Sequence, residues 1–352
     1  MNLITTQLKR TPEDEIRWAN LLSVSQYSHY MAGSQFEYSR QTSGRSTTSF
    51  IFTKNGVDLA GVHYSLKKSF AGLLKTADIV SGIIFRDQPD NAVLSLILKH
   101  FIHWAKKQNA AYIRTTPWIP QKIGETITKF GEEFNLIFYK QGFKQISTGK
   151  STYWIDLSLS EDELLKKMNS QTRRKIKLAQ KANITIETFD QFSSENITLF
   201  YELYSHLGNR KNFETLSKSR FFTEIKSLFD GGATLFILKY HEVIINIGLA
   251  TNKGIASYYH GALNPDYKKL EGCPSPGHYM QWVMIKHMKQ KGLKFYDMAF
   301  CPGPVPIQSH PQFDMWRFKY SFGGDHVEFL PTFGKVLKLI RGRLFQCLIY
   351  RK

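Results

Sequence analysis

Apolar residues recur along the chain with two periods, every second position or every third to fourth, and together these predict strands and helices. In the first half, Asn55-Gly56 separates two apolar runs, which is a strong hairpin signal. The predicted elements are a helix over 12–22, a polar, turn-rich passage to 49, strands over 50–52, 58–66 and 79–85, a helix over 90–108, a strand over 111–115 and a helix over 130–139. Hairpin, strand, helix and strand thus follow one another.

The second half repeats this order. Its pattern predicts helices over 199–207 and 220–229, strands over 233–239, 243–251 and 255–261, a helix over 277–291 and a strand over 294–298. In the helix over 277–291, Trp282, Ile285 and Met288 are spaced as a core face. A shared order in both halves predicts an α+β chain that arose by structural duplication.

Residues 151–187 join the two halves. A strand over 153–157 leads to Ser160, which is spaced from Glu163 as in a capping box. The apolar spacing that follows predicts one long amphipathic helix, which ends near Asn183.

The last turns of this predicted helix are strongly cationic. Arg173, Lys177 and Lys181 lie four positions apart and therefore stack along one face, with Arg174 beside them. Like charges at this spacing cost helix stability. The pattern therefore indicates an anionic partner.

The whole chain is basic, with a net charge of +18 over 352 residues. Such a surplus favours nucleic acid, anionic membrane or phosphorylated substrates as partners. Three cysteines without a CxxC pair, no apolar segment typical of a signal peptide and no membrane-spanning run predict a cytoplasmic protein.

Signatures of several enzyme classes do not occur in the sequence. It contains no Walker A loop, dinucleotide-binding GxGxxG, HExxH, GxSxG or zinc-ligand spacing, so we predict neither a metal nor a cofactor. Residues 41–46, QTSGRS, come within one residue of the pyrophosphate loop of acyl-CoA transferases. An acyl-CoA-dependent N-acyltransferase therefore stays open as an alternative.

Several motifs resemble those of the Fem family, bacterial transferases that use aminoacyl-tRNA to build the side chains of peptidoglycan precursors. They are Asp156-Leu157-Ser158 with 161–165, then Thr172-Arg173-Arg174 through Ala179, and further matches up to about residue 325. The resemblance implies two tandem acetyltransferase-like (GNAT) domains, each a mixed sheet flanked by helices. We place them at 1–151 and 152–324, with a basic C-terminal segment, 325–352, packing back on the first domain.

Phe318 and Lys319 lie in the most specific of these matches, FKYSFGG over 318–324. Taken alone, this motif is typical of a strand and a turn. In the Fem family the lysine lies at the catalytic cleft, so the resemblance implies catalytic roles for both residues. A cation there can neutralise phosphate or stabilise the oxyanion that forms when an amine attacks an ester.

The resemblance also implies substrate-binding residues. Arg210 matches a cation that clamps a phosphate or carboxylate, Phe213 an aromatic beside it, and Arg40 a cation near the N-terminus. The alternative for Arg210 is an ordinary solvated surface arginine.

Tyr258, Tyr259 and Asp297 are further substrate-binding candidates at strand ends. Strand alternation puts Tyr258 and His260 on one face and Tyr259 on the other. His260 has the pKa range of a general base, although we favour a structural histidine. The family's glycine after Asp297 is absent here.

Two further segments are distinctive, one rich in proline and the other basic. Residues 301–306, CPGPVP, form either a substrate-shaping loop or a linker, and 334–352 read as a basic amphipathic helix. That helix is expected either to pack on the first domain or to lie on an anionic surface.

The resemblance implies an aminoacyltransferase that moves an amino acid from aminoacyl-tRNA to a free amine of a lipid- or nucleotide-linked peptidoglycan precursor. The ester is already activated, so positioning and charge stabilisation suffice without a covalent intermediate. The enzyme is expected to be a monomer, with peripheral contact to the inner face of the membrane. A non-catalytic tRNA- or membrane-binding protein is the third possibility.

Overall fold

A computed structural model describes residues 3–39, 41, 45–69, 74–211 and 213–339. The chain divides into two compact units, unit 1 with residues 1–151 and 327–352, and unit 2 with residues 152–326. Each unit has its own hydrophobic core.

The described residues in the first part of unit 1 form nine strands and four α-helices. Its elements are β1 (Ile4–Gln7), α1 (Pro12–Ser23), α2 (Ser34–Ser39), β2 (Arg45–Lys54), β3 (Val57–Ser69), β4 (Leu74–Ile79), β5 (Ile83–Phe85), α3 (Asn91–Lys107), β6 (Tyr112–Thr115), β7 (Pro120–Ile123), β8 (Thr126–Ile127), α4 (Lys129–Lys140) and β9 (Lys144–Ser147). The predicted hairpin is confirmed, and Asn55 and Gly56 both adopt the positive φ that its tight turn requires.

Unit 2 follows with β10 (Ser151–Asp156), α5 (Glu161–Lys167), α6 (Ser170–Lys181), β11 (Ile184–Phe189), α7 (Ser194–Lys211), α8 (Lys218–Gly231), β12 (Ala233–Tyr240), β13 (Val243–Thr251), β14 (Ala256–Leu263), α9 (Pro276–Gln290), β15 (Phe295–Asp297) and α10 (Phe313–Tyr320). The chain then forms β16 (Asp325–Phe329) and β17 (Thr332–Val336).

The sheets of the two units share the order of their first five strands, whereas the sixth strand is the last along the chain in unit 1, β17, and the first in unit 2, β10. In unit 1 the order is β1-β2-β3-β4-β6-β17-β9, and in unit 2 it is β11-β12-β13-β14-β15-β10. Each contains one parallel pair, β4 with β6 and β14 with β15, joined by a crossover that contains α3 or α9. The predicted α+β fold with two mixed sheets is confirmed.

One face of each crossover helix is buried in the core of its unit. On α3 this face includes Ile97 and Phe101, and on α9 Trp282, Ile285 and Met288 are buried as predicted. Burying each such side chain stabilises the fold by about 1.5–3 kcal/mol relative to exposure.

The long helix predicted between the halves is wrong, because α5 ends at Lys167 and α6 begins at Ser170. The capping box of Ser160 and Glu163 is present. The break arises because Met168 is extended and the side chain of Asn169 accepts a hydrogen bond from the Thr172 N–H, so Asn169 caps a second helix.

Four other predictions are corrected. The strand over 79–85 is interrupted at Gly82, which has a φ of 86°, and the passage before 49 contains α2 and the start of β2. Phe318 and Lys319 lie on helix α10 and not on a strand. The start of the predicted C-terminal helix is strand β17, and 340–352 lie outside the described residues.

Candidate active site

The candidate site lies at the edge of unit 2 where β15 ends and its parallel partner β14 continues past it. Ser257 lies opposite Asp297 in this pair, so Tyr258 and Tyr259 follow along β14 beyond that point. On the other side of β15, Trp154 of β10 lies opposite Asp297. Ends of parallel strands are common ligand sites, because side chains from several strands converge there.

Asp297 is buried beneath this edge, with 2% of its surface exposed. Its carboxylate accepts hydrogen bonds from the Thr152 hydroxyl and, at 2.7 Å, from the Ala299 N–H. Burial raises the pKa of Asp297, and these hydrogen bonds and the charge of Lys319 oppose that shift. The carboxylate therefore fixes the backbone that follows β15.

Lys319 reaches the same backbone from α10. Its Nζ donates hydrogen bonds to the carbonyl oxygens of Ala299 at 3.0 Å and Phe300 at 2.6 Å. Burial lowers the pKa of Lys319 to about 8, and the nearby Asp297 and Cys301 oppose this shift. A buried amine with such a pKa changes charge near neutral pH, which is typical of functional lysines.

Ala299 connects these two groups and has a left-handed backbone, with a φ of 63°. Its N–H donates to Asp297 and its carbonyl oxygen accepts from Lys319. This oxygen also lies 2.8 Å from the Thr152 hydroxyl, which shares its single proton between Asp297 and Ala299. A side chain in this conformation costs roughly 1–2 kcal/mol. The surrounding hydrogen bonds therefore hold a strained turn beside the lysine.

Glycine at position 299 is expected to stabilise the protein. The Ala299→Gly substitution removes the steric cost of the left-handed turn, and the greater freedom of glycine in the unfolded chain offsets part of that gain, which leaves about 0.5–1 kcal/mol. Urea unfolding measures the change. Ala256→Gly, at a buried position within β14, is the control and should lower the free energy of unfolding by about 1–2 kcal/mol, because glycine has more backbone freedom and a buried methyl group is lost. A loss of stability in Ala299→Gly contradicts the strained-turn interpretation.

Phe318, the other predicted catalytic residue, packs into the interior beside Lys319. Its ring centroid lies 4.9 Å from that of His278 and 5.3 Å from that of Phe322. Burial lowers the pKa of His278 to about 4, so this ring is neutral at pH 7. The contacts of Phe318 fix the position of α10.

The predicted alternation of Tyr258, Tyr259 and His260 is wrong. Opposite β13, Leu249 pairs with His260 and Ala250 with Tyr258, so Tyr259 is the extra residue of a β-bulge. The Tyr259 hydroxyl donates to Glu224 of α8 at 2.8 Å, and the ring of His260 also contacts α7 and α8, whereas Tyr258 packs against the core of unit 2.

His260 is packed among aromatic rings. Its centroid is 5.1 Å from that of Tyr204 and 6.2 Å from that of Phe221. Burial lowers the pKa of His260 to about 4, and the nearby Glu224 opposes this shift. A neutral, stacked ring is the environment of a structural histidine.

Arg210 and Phe213 lie at the end of α7. Arg210 is exposed in its last turn, and Phe213 is 43% exposed with its ring 6.0 Å from that of Tyr204. Through Tyr204, Phe213 is linked to His260 of β14. Arg40 lies outside the described residues.

The cations of α6 divide into two kinds. Arg173 donates through one guanidinium nitrogen to the carbonyl oxygens of Met168, Lys166 at 3.3 Å and Leu165 at 3.5 Å, so it caps the end of α5. The other three cations form no ion pair within the described part of the chain; they are Arg174, Lys177 and Lys181. Together with Arg173 they line a depression of about 280 Å³.

Sequence reasoning missed Thr152. A threonine in a strand is common, and no local pattern marks this one. Its function in the site follows only from its two contacts, to Asp297 and to the Ala299 carbonyl oxygen. These contacts join the first strand of unit 2 to a turn 147 residues later.

The described residues include neither a metal-binding cluster nor a membrane-spanning helix. No group of three or more His, Cys, Asp or Glu side chains there is placed to hold a metal ion. None of the helices described is long and apolar enough to span a bilayer.

Comparison with solved structures defines the fold class. The crystal structure of FemX matches with a TM-score of 0.82 at 17% identity, covering 98% of this chain and 100% of that one. A tandem GNAT protein from the clavulanic acid biosynthesis pathway matches with a TM-score of 0.55 at 10% identity, covering 95% and 98%. The chain thus has the tandem GNAT-like fold that was predicted.

The family is shown by sequence. The FemAB family model matches residues 19–243, more than half of the chain, and the protein belongs to the FemAB family. The predicted membership of the Fem family is confirmed.

Relatives with assigned activities are staphylococcal enzymes named lipid II:glycine glycyltransferase. The one from Staphylococcus haemolyticus JCSC1435 is 22% identical, over 80% of this chain and 81% of the relative. The one from Staphylococcus aureus MRSA252 is 23% identical, over 80% and 82%. They support the predicted enzyme class, an acyltransferase.

Proposed function

We propose that this protein transfers an amino acid from aminoacyl-tRNA to a free amine on the peptide of a lipid-linked peptidoglycan precursor. Lipid II appears in the names of the staphylococcal relatives, and the basic surface of α6 suits a polyanionic donor such as tRNA. The observation on which the proposal rests is the buried Lys319, bound to the backbone that follows β15, in a member of the FemAB family.

The reaction needs little beyond positioning and charge. The acceptor nitrogen attacks the ester carbonyl carbon, a C–N bond forms, and the C–O bond to the ribose breaks. The proton lost by the amine ends on the ribose oxygen that leaves. In this proposal the Lys319 ammonium stabilises the negative oxygen of the tetrahedral intermediate.

The primary test is transfer itself. Purified protein is incubated with tRNA charged with labelled amino acids and with a lipid-linked precursor, and the product is identified by mass. Label in the precursor supports the proposal. Transfer from acetyl-CoA without transfer from tRNA favours the acyl-CoA alternative, and binding of tRNA without any transfer favours a binding protein.

The pH dependence tests the charge state of Lys319. Because burial lowers its pKa to about 8, the amine loses its proton as the pH rises through that value. If the ammonium acts, kcat/KM of the wild type relative to Lys319→Arg should fall between pH 7 and 9, since a guanidinium stays charged. The ratio cancels the titration of both substrates. A ratio that rises with pH assigns Lys319 the role of a base instead.

A further inference from the structure

The segment after β15 differs from the rest of the chain in charge. Residues 298–313, MAFCPGPVPIQSHPQF, contain no Asp, Glu, Lys or Arg, although 22% of the whole chain is charged. Residues 299–312 are called the apolar loop below. An uncharged segment loses no charge solvation when it enters an apolar phase.

Large apolar side chains of the apolar loop are exposed. Val305 and Ile307 are each 74% exposed and Phe300 is 47% exposed. Single exposed apolar residues are ordinary, but several close together in one segment mark an interaction surface. Tyr320 of α10 is also exposed, at 54%.

Hydrogen bonds from side chains of unit 2 hold the backbone of the apolar loop in place. The carbonyl oxygen of Pro304 accepts hydrogen bonds from the Trp316 indole at 2.7 Å and from the Tyr153 hydroxyl at 2.9 Å. The Phe300 carbonyl oxygen accepts from Lys319 at 2.6 Å. These anchors and the prolines at 302, 304 and 306 restrict the backbone of the loop, so binding of the loop costs little backbone entropy.

Tyr320 belongs to the same surface. Its ring stacks on that of Trp316 with centroids 5.1 Å apart, and it lies 6.0 Å from the ring of Tyr153. The indole N–H of Trp316 and the hydroxyl of Tyr153 both donate to the carbonyl oxygen of Pro304, the residue before Val305. Tyrosine is enriched at the level of lipid headgroups, where its ring is buried and its hydroxyl is solvated.

We propose that the apolar loop inserts Phe300, Val305 and Ile307 into the interface of an anionic membrane, with Tyr320 at headgroup level. The net charge of +18 attracts the protein to such a surface, and the apolar loop supplies the non-polar contact. The inference deepens the proposed function, which requires access to a lipid-linked acceptor. Lys319 donates a hydrogen bond to the Phe300 carbonyl oxygen. Insertion of Phe300 would therefore bring Lys319 to the membrane surface, where that acceptor lies.

The test is vesicle binding without substrates, by co-sedimentation with phosphatidylcholine vesicles that do or do not contain phosphatidylglycerol. The Val305→Ser/Ile307→Ser variant keeps the net charge and should lower affinity for the anionic vesicles by about tenfold. The matched control is Ile16→Ser/Ile127→Ser, at two positions that are each 61% exposed. It should bind as the wild type does.

Equal binding of both variants and the wild type overturns the proposal, because charge alone then accounts for attachment. The Ile307→Trp variant gives a second readout: after subtraction of the wild-type signal, which comes from six tryptophans, its emission should shift to the blue on anionic vesicles. An unshifted emission also contradicts insertion. Failure of aminoacyl transfer in the primary test leaves both readouts intact, so the two proposals fail separately.

Discussion

Lys319→Met is expected to lower kcat/KM for aminoacyl transfer by about 10²- to 10³-fold, the usual cost of losing one donor that stabilises an oxyanion. Methionine keeps the length of the side chain but has neither the charge nor the two hydrogen bonds to Ala299 and Phe300. The measurement is the initial rate of transfer at limiting concentrations of both substrates.

The control for this variant is Lys289→Met. Lys289 also donates to a backbone carbonyl oxygen, that of Leu157 at 2.9 Å, but it lies on α9 and outside the candidate site. Its variant should keep near wild-type activity. A Lys319→Met enzyme that still turns over normally removes Lys319 from the reaction, whereas lost turnover with retained tRNA binding excludes a non-catalytic protein.

Replacing Arg174, Lys177 and Lys181 together by alanine is expected to weaken tRNA binding and its dependence on salt. Each phosphate contact contributes about 0.7–0.9 to the slope of log K against log salt, so three lost contacts should reduce that slope by about 2–3. Filter binding of charged tRNA at several salt concentrations measures it. Arg173 is left unchanged, because it caps α5.

A control with the same change in charge is available on α3. Lys99, Lys106 and Lys107 are exposed there, and their replacement by alanine alters the net charge equally. If the slope of log K against log salt falls equally in both triple variants, the effect reflects total charge and not the surface of α6.

The fold could be predicted from the sequence wherever the local pattern and the tertiary packing favour the same structure. The hairpin at Asn55-Gly56 and the buried face of α9 are examples, since turn chemistry and apolar period each specify one structure. The break at Asn169 was missed because a capping side chain competes with continuing helix, and the apolar period runs on across it.

The candidate site could be predicted from the sequence only in part. Lys319 and Asp297 were named from separate motifs, but their link through the strained Ala299 depends on contacts that no spacing reveals. The bulge at Tyr259 reversed the predicted face of His260, because one extra residue shifts the strand period. Thr152 had no signal, since its two partners lie far along the chain.

The position of β17 has a consequence for synthesis. This strand lies between β6 and β9 in the sheet of unit 1, yet it follows all of unit 2 along the chain. As the chain leaves the ribosome, every strand of unit 2 is therefore available before unit 1 receives β17. The sheet of unit 1 therefore cannot be completed until unit 2 has been synthesised, although the synthesis of unit 1 begins first.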